Sequence, residues 1–196
     1  GPVNEFSAME GTSVLNYNLQ IERDIHSRAG FGPVFYIFPD NKLDNNQALE
    51  LAGNLDLVNI IKEYGGRIMV VNPSSDKWQE QDLEDFRRLI GMGGSPTNVK
   101  VIGIGSGATF VNRQLAATEL TGVIAGIVSI DGEPGKICRL PVPAFIGGKN
   151  AAKAAKPYQT TSDSAPEDPL QKVVVNTDKK ASLETPFAAA WDKVLS

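Results

Sequence analysis

Three glycines and a serine lie together in the one segment whose residue types and spacing point to chemistry. The segment spans residues 103–108 and has the sequence Gly-Ile-Gly-Ser-Gly-Ala. Glycine is needed where a chain turns sharply or where a backbone closely approaches a ligand. In open α/β sheets, ligands gather at the carboxyl ends of the strands. Because the strand-like segment Asn-Val-Lys-Val-Ile at 98–102 precedes the glycines, the pattern predicts a strand, a tight turn that faces a binding site, and then a helix.

One interpretation of this turn is a nucleophile elbow of the G-x-S-x-G type, in which a serine attacks an ester from a sharp strand-to-helix turn. If Ser106 is the nucleophile, positions 104 and 108 hold Ile and Ala where the motif has glycine. If Gly103 and Gly107 take those flanking positions, the central residue is Gly105, which has no side chain. The turn therefore predicts either a nucleophilic serine at position 106 or an elbow without a nucleophile.

Two other interpretations of the glycine turn stay open. Gly103, Gly105 and Ala108 also fit the G-x-G-x-x-G/A dinucleotide fingerprint, and Asp131 ends the next strand where a ribose-binding acid would lie. That fingerprint normally occupies the first βα unit of its fold, whereas two predicted βα units precede it here. The remaining interpretation is a turn that serves only to pack the strand against the helix.

The chain contains one histidine, His26, and one cysteine, Cys138. A single cysteine excludes an internal disulfide and a cysteine-based zinc site, and we predict no metal and no cofactor. We expect Cys138 to be a packed or idle thiol and His26 to lie in a solvated polar loop. A mechanism that needs a histidine must therefore use His26 or borrow one from a partner. Asp40 and Asp131, which both follow predicted strands, are the acids best placed to face a cleft, although such residues often cap the next turn.

The composition is that of a globular domain. The 196 residues are 41% apolar and 21% charged, which is enough to bury a core. The net charge of −4 argues against a nucleic-acid surface, and no apolar run approaches the roughly 18 residues of a membrane span. We expect residues 1–9 to be a cloning scar or a flexible terminus. Residues 10–196 are predicted to form a single domain, either complete or as a fragment of a longer protein.

Strand and helix patterns alternate along the chain. We predict strands at 13–21, 34–40, 67–72, 98 into the glycine turn, 122–130, 142–146 and 172–175, and helices at 45–64, 79–91, 109–120 and 183–195. The polar segment 149–170 is predicted to be a loop. Continuous apolar runs suit strands that are buried on both faces of a parallel sheet. The alternation therefore predicts an α/β fold, a three-layer α/β/α sandwich with a mainly parallel sheet.

The order of these elements, with the glycine turn at 103–109, resembles the α/β-hydrolase fold, and most closely the polyhydroxybutyrate-depolymerase-like esterases. The resemblance covers residues 13–195 in pattern. It implies a serine in the turn, an acid after a later strand, a histidine after the last strand, a small ester as substrate and an extracellular location. It also implies an oxyanion site of backbone N–H groups, here those near Ser106 or Gly107 and those near Asp40 and Asn41.

The chain departs from the family pattern at all three triad positions. In the better glycine frame, the serine position holds Gly105. The acid position, after the strand 142–146, ends in the neutral Asn150, and the histidine position holds Thr-Asp-Lys-Lys at 177–180. Since the loss of even one triad member costs orders of magnitude in rate, these absences argue against hydrolysis.

Three hypotheses for the function follow. The first is a catalytically silent α/β-hydrolase-like domain that acts as a binding or interaction module of a larger esterase-like protein, with a neighbouring domain of that protein as its partner. The second is a serine esterase that uses Ser106 with a histidine from His26 or from a partner domain. The third, and weakest, is a dinucleotide-binding module.

Overall fold

A computed structural model of the chain describes residues 6–7, 16–22, 34–55, 57, 67–92, 98–118, 123–139, 142–164 and 173–177. Its strands are β1 (Phe6–Ser7), β2 (Asn16–Glu22), β3 (Val34–Phe38), β4 (Arg67–Asn72), β5 (Val99–Ile104), β6 (Ile124–Ile130), β7 (Ala144–Gly147) and β8 (Val173–Asn176). They form one sheet in the order β1-β2-β4-β3-β5-β6-β7-β8. β2 pairs antiparallel with both β1 and β4. The other six strands lie side by side in the order β4, β3, β5, β6, β7 and β8, and each pairs in parallel with its neighbours in this group. The sheet is therefore mainly parallel, as predicted.

The described helices connect the parallel strands. They are α1 (Asn45–Asn54), α2 (Gln81–Met92), α3 (Ser106–Phe110), which continues as a π-helical segment (Val111–Leu115), and α4 (Ala151–Ser164). All five residues of β3 are buried. Tyr36 and Phe38 belong to a core cluster with residues of α2, α3 and α4, whereas Phe35 and Ile37 belong to a second cluster with residues of α1. The sheet thus has a core on both faces, which confirms the predicted three-layer sandwich.

The segment 149–170 was predicted to be a loop, and this prediction was wrong for the part that forms α4. The helix buries Ala151, Ala154, Ala155 and Tyr158 at helical spacing. Three of these four side chains are alanines, so the apolar stripe is weak in the sequence. Pro157 also lies inside the helix, where proline usually disrupts the hydrogen-bond pattern. For both reasons, a prediction based on the spacing of large apolar residues misses this helix.

Several predicted boundaries also shift. The predicted helix 109–120 starts earlier, at Ser106, because the chain turns directly from β5 into α3. The predicted helix 45–64 is interrupted, since α1 ends at Asn54 next to the glycine at position 53. The predicted helix 183–195, most of the segment 56–66 and the loop that contains His26 lie outside the described residues. Among the residues described, no helix is long and apolar enough to cross a membrane.

Candidate functional site

The turn between β5 and α3 is built around Gly105. Its backbone has φ 57° and ψ −121°, a conformation that favours glycine. The Gly105 N–H donates to the carbonyl oxygen of Ile130 at the end of β6 (2.8 Å), and its carbonyl oxygen accepts from the N–H of Thr109 (3.0 Å). Gly105 is therefore the central residue of a sharp turn that is anchored to the neighbouring strand.

The two glycines that flank Gly105 allow close backbone contact. A Cβ on Gly103 would lie 2.6 Å from the Cα of Ala108, so this glycine lets the strand pack against α3. A Cβ on Gly107 would overlap the carbonyl oxygen of Phe38. Neither position can hold a side chain. The flanking glycines of the motif are therefore Gly103 and Gly107, and the central residue of the turn is Gly105 and not Ser106.

The carboxylate of Asp40 occupies the space in front of Gly105. Asp40 follows β3, and its Oδ1 accepts a hydrogen bond from the N–H of Ser106 (2.7 Å). A Cβ built on Gly105 would lie only 2.5 Å from the Asp40 Cγ. The Ser106 hydroxyl donates to the Asp40 carbonyl oxygen. The N–H group that follows the central residue of the turn is therefore already bonded to a carboxylate from the same chain.

The loop that carries Asp40 is held from two sides. The buried side chain of Asn72, at the end of β4, accepts from the N–H of Leu43 (3.0 Å) and donates to its carbonyl oxygen (2.9 Å). A capping box follows: the Asp44 side chain accepts from the Gln47 N–H, and the Gln47 side chain accepts from the Asp44 N–H. These bonds fix residues 40–44 between β4 and α1, and so fix the carboxylate over the turn.

A similar arrangement lies at the ends of β6 and β7. The Oδ1 of Asp131 accepts from the N–H of Lys149 (2.7 Å) and lies where a Cβ on Gly148 would be. Asn150, at the position where the resemblance implies an acid, donates to the Glu133 carboxylate (3.1 Å). Asp131 therefore caps the loop after β7, and this differs from the expected cap of the turn that follows its own strand.

A buried polar network lies behind the turn and centres on Asn112 in the π-helical segment. Its Oδ1 accepts from the hydroxyls of Ser129 (2.9 Å) and Tyr158 (2.8 Å), and its Nδ2 donates to the carbonyl oxygen of Glu133 (2.9 Å). Burial raises the pKa of the Tyr158 phenol well above its usual value, so the phenol stays a hydrogen-bond donor. The network joins α3 to β6, to α4 and to the loop after β6.

An open cleft of about 580 Å³ lies in front of the turn. Its aromatic wall is Trp78, which stacks on Phe110 (ring centroids 4.9 Å apart, 26° between planes) and donates from Nε1 to the carbonyl oxygen of Pro39 (3.0 Å). A smaller cavity of about 230 Å³ lies on the other side of the loop 40–43. The main cleft is lined by Asp40, Asn41, Asp76, Lys77, Trp78, Gln79, Glu80, Ser106, Thr109, Phe110, Arg113 and Gln114.

The structure brings together most of the predicted site residues. Asp40, Asn41 and Ser106 line the main cleft, while Gly105 and Gly107 form the turn beneath it. It brings no histidine to the cleft among the described residues, because His26 lies outside them. Within the same part of the chain, no group of acidic, histidine or cysteine side chains could hold a metal ion.

Two features of the site were missed by the sequence analysis. Nothing in the sequence signals the role of Asn112, because a polar residue inside a helical pattern is ordinarily exposed. Arg113, beside it, lines the cleft and also had no distinguishing pattern. Trp78 has two roles in the structure, since it anchors the loop after β3 and also lines the cleft.

No family model matches the chain, and a search of the curated proteins finds no relative. Solved structures of esterases are nevertheless similar to it in fold. A bacterial heroin esterase superposes with a TM-score of 0.65 at 11% identity, covering 98% of this chain and 83% of that one. Est1E from Butyrivibrio proteoclasticus gives 0.60 at 11% identity, with 97% of both chains covered. A thermostable esterase gives 0.61 at 11% identity and 98% coverage, and this chain spans 58% of its length.

At such low identities these similarities define the fold and nothing finer. The mainly parallel sheet, the helices on both faces and the esterase neighbours identify the chain as a protein of the α/β-hydrolase fold. This confirms the predicted fold class, and membership of the superfamily stays a prediction. The closer resemblance to polyhydroxybutyrate-depolymerase-like esterases stays a prediction.

Proposed function

We propose that this chain is a catalytically silent α/β-hydrolase-fold domain whose cleft binds a ligand without hydrolysing it. One observation carries the proposal. Gly105 is central in the turn where the fold places a nucleophile, and the Asp40 carboxylate fills the space in front of it. The role as a binding module of a larger, extracellular esterase-like protein belongs to the same proposal and rests on the family resemblance.

The geometry of the turn disfavours acyl transfer at two steps. A nucleophile has to project from the central position, and Gly105 has no side chain to project. Stabilisation of the tetrahedral intermediate requires N–H donors that are free to meet the developing negative charge. Here the Ser106 N–H is bonded to Asp40, so an oxyanion at that place would meet a carboxylate instead of a free donor.

The cleft itself suits a binding role. Its volume of about 580 Å³ lies within the range of about 300–1,000 Å³ that is usual for small-molecule sites. It combines an aromatic wall, Trp78 on Phe110, with polar groups that converge at the turn. The buried network at Asn112 joins α3 to its neighbours on one side of the cleft, and the bonds from Asn72 hold the loop 40–43 on the other side.

The alternative function is a serine esterase that uses Ser106. The observation that favours it is the exposure of this serine in the main cleft. In that case the hydroxyl would have to leave the Asp40 carbonyl oxygen and meet a histidine from His26 or from a partner domain. The dinucleotide-binding hypothesis is weakened because Asp131, its candidate ribose ligand, does not line the main cleft.

Labelling with a fluorophosphonate separates these functions. We expect no adduct on the wild-type chain by intact-mass spectrometry, and no difference between it and the Ser106→Ala variant. An active esterase of this fold, labelled in parallel, controls for the reagent. Stoichiometric modification of Ser106, located by peptide mapping and lost in the Ser106→Ala variant, would establish the esterase instead. Saturable binding of a nicotinamide dinucleotide would support the third hypothesis.

A further inference from the structure

We propose that the cleft selects a ligand with a positively charged amine and disfavours ester carbonyls and carboxylates. The inference rests on the proposed function, since it takes the cleft to be a binding site without turnover. It concerns the polarity of the site: at the centre of the cleft, a hydrogen-bond donor has been replaced by a negatively charged acceptor.

The first step of the argument is the use of the Ser106 N–H. In an active elbow the N–H after the nucleophile is a donor that attracts the substrate's carbonyl oxygen. Here that donor is occupied by the Oδ1 of Asp40 at 2.7 Å. A carbonyl oxygen that enters the turn therefore finds no free donor at this position, and it meets the negative charge of Asp40.

The second step is the accessibility of the Asp40 carboxylate. Asp40 is exposed and lines the main cleft. Among the described residues, its second oxygen, Oδ2, has no hydrogen-bond partner, because the bonds recorded for the Asp40 side chain use Oδ1. An ammonium group can therefore donate to Oδ2 without breaking the bond between Oδ1 and Ser106, and such charge-assisted bonds are the stronger kind.

The third step is the surroundings of Asp40. The cleft has three acidic side chains, Asp40, Asp76 and Glu80, against two basic ones, Lys77 and Arg113. Arg113 donates from Nε to the carbonyl oxygen of Pro134 (3.3 Å), which directs this end of its guanidinium toward the loop after β6. Trp78 adds an aromatic wall, and a cation near an indole ring is attracted by its π face.

Three probes of the same size test the charge preference. Benzylammonium, benzyl alcohol and benzoate share one aromatic body and differ in the charge of the attached group. Their dissociation constants can be measured by two-dimensional NMR titration of the wild-type chain at low ionic strength. We expect benzylammonium to bind about tenfold more tightly than benzyl alcohol, equivalent to about 1.4 kcal/mol, and benzoate to bind most weakly. The shifts should centre on the Ser106 amide and the Trp78 indole.

Two variants assign the preference to one carboxylate. Asp40→Asn retains an oxygen acceptor for the Ser106 N–H but loses the charge, so we expect most of the preference for benzylammonium over benzyl alcohol to be lost. Asp131→Asn is the matched control, because Asp131 also caps a backbone N–H at a strand end but does not line the main cleft. This control should keep the full preference. If Asp40→Asn does not fold, the chemical-shift changes in the wild-type chain show whether the probes bind beside Ser106 and Trp78.

The inference is overturned if benzoate binds as tightly as benzylammonium, if none of the probes binds, or if the amine preference survives undiminished in Asp40→Asn. It is also overturned if the shifts lie away from Ser106 and Trp78. The fluorophosphonate experiment separates these failures from a failure of the proposed function. An unlabelled chain without amine preference refutes only the ligand class, whereas a labelled Ser106 refutes the silent domain itself.

Discussion

Gly105 and Asp40 form a complementary pair at the turn. The missing side chain of one residue makes room for the carboxylate of the other. The glycine spacing allowed the frame with Gly105 at the centre to be predicted, since local motifs are visible in the sequence. The position of Asp40 over the turn was not predictable in detail, because it depends on β3 and β5 pairing side by side, with Phe38 opposite Gly103.

The pair predicts that Gly105→Ala destabilises the chain. The alanine would have to keep a backbone φ near +57°, and its Cβ would collide with the Asp40 carboxylate. We expect the free energy of unfolding, measured by urea denaturation, to fall by about 2 kcal/mol or more. A double variant with Asp40→Gly should recover part of this loss because it removes the collision but leaves the backbone strain.

Gly91→Ala is the matched control for this measurement. Gly91 lies in α2, and a Cβ there would meet no atom within 4 Å. Alanine is favoured over glycine inside a helix by roughly 0.8–1.0 kcal/mol, so the control should stabilise the chain. Equal effects of the two substitutions, or no recovery on addition of Asp40→Gly, would contradict the account of the pair.

At the scale of elements, the π-helical segment after α3 joins the turn to the rest of the fold. Its Asn112 binds the hydroxyls of Ser129 on β6 and Tyr158 on α4. The strands β2 to β8 and the helix α2 could be predicted because their large apolar residues form continuous runs or follow a regular period, whereas β1 lies in the segment 1–9 that was expected to be a cloning scar or a flexible terminus. The helix α4 could not, because its buried face is mostly alanine and its partner Asn112 is polar and distant in sequence.

Tyr158→Phe tests this network. The substitution removes one of the two hydroxyls that donate to the Asn112 Oδ1, and we expect a loss of about 1 kcal/mol in the free energy of unfolding at pH 7. Because burial raises the Tyr158 pKa, the unfolded chain releases this proton at a lower pH than the folded chain does. The wild-type advantage should therefore shrink as the pH rises above about 10.

Thr160→Ala provides the control on the same helix. Thr160 is exposed, and among the described residues its hydroxyl bonds only to the Lys156 carbonyl oxygen of the same helix. Its loss should change the stability by at most about 0.5 kcal/mol, with no dependence on pH near 10. If Tyr158→Phe behaved in the same way as this control, Tyr158 would have no part in holding the turn against α4.

At the scale of the whole molecule, the chain has the fold of esterases to which it is 11% identical, and the central residue of its turn is a glycine. The alternation of strands and helices was sufficient to predict the three-layer sandwich, since core packing depends on apolar pattern and not on particular residues. The site depends on single residues that different strands bring together. The fold is therefore compatible with a binding cleft, and Gly105 and Asp40 at the turn favour a cleft that binds without hydrolysis.

The hydrolysis of p-nitrophenyl acetate tests the central claim most directly. Initial rates are compared for the wild-type chain, its Ser106→Ala variant and a His26→Ala variant, over a range of ester concentrations. The account predicts that all three give the same slow rate, linear in ester concentration, because neither Ser106 nor His26 takes part in turnover. A saturable wild-type rate that is abolished by Ser106→Ala would contradict it and would establish a serine esterase.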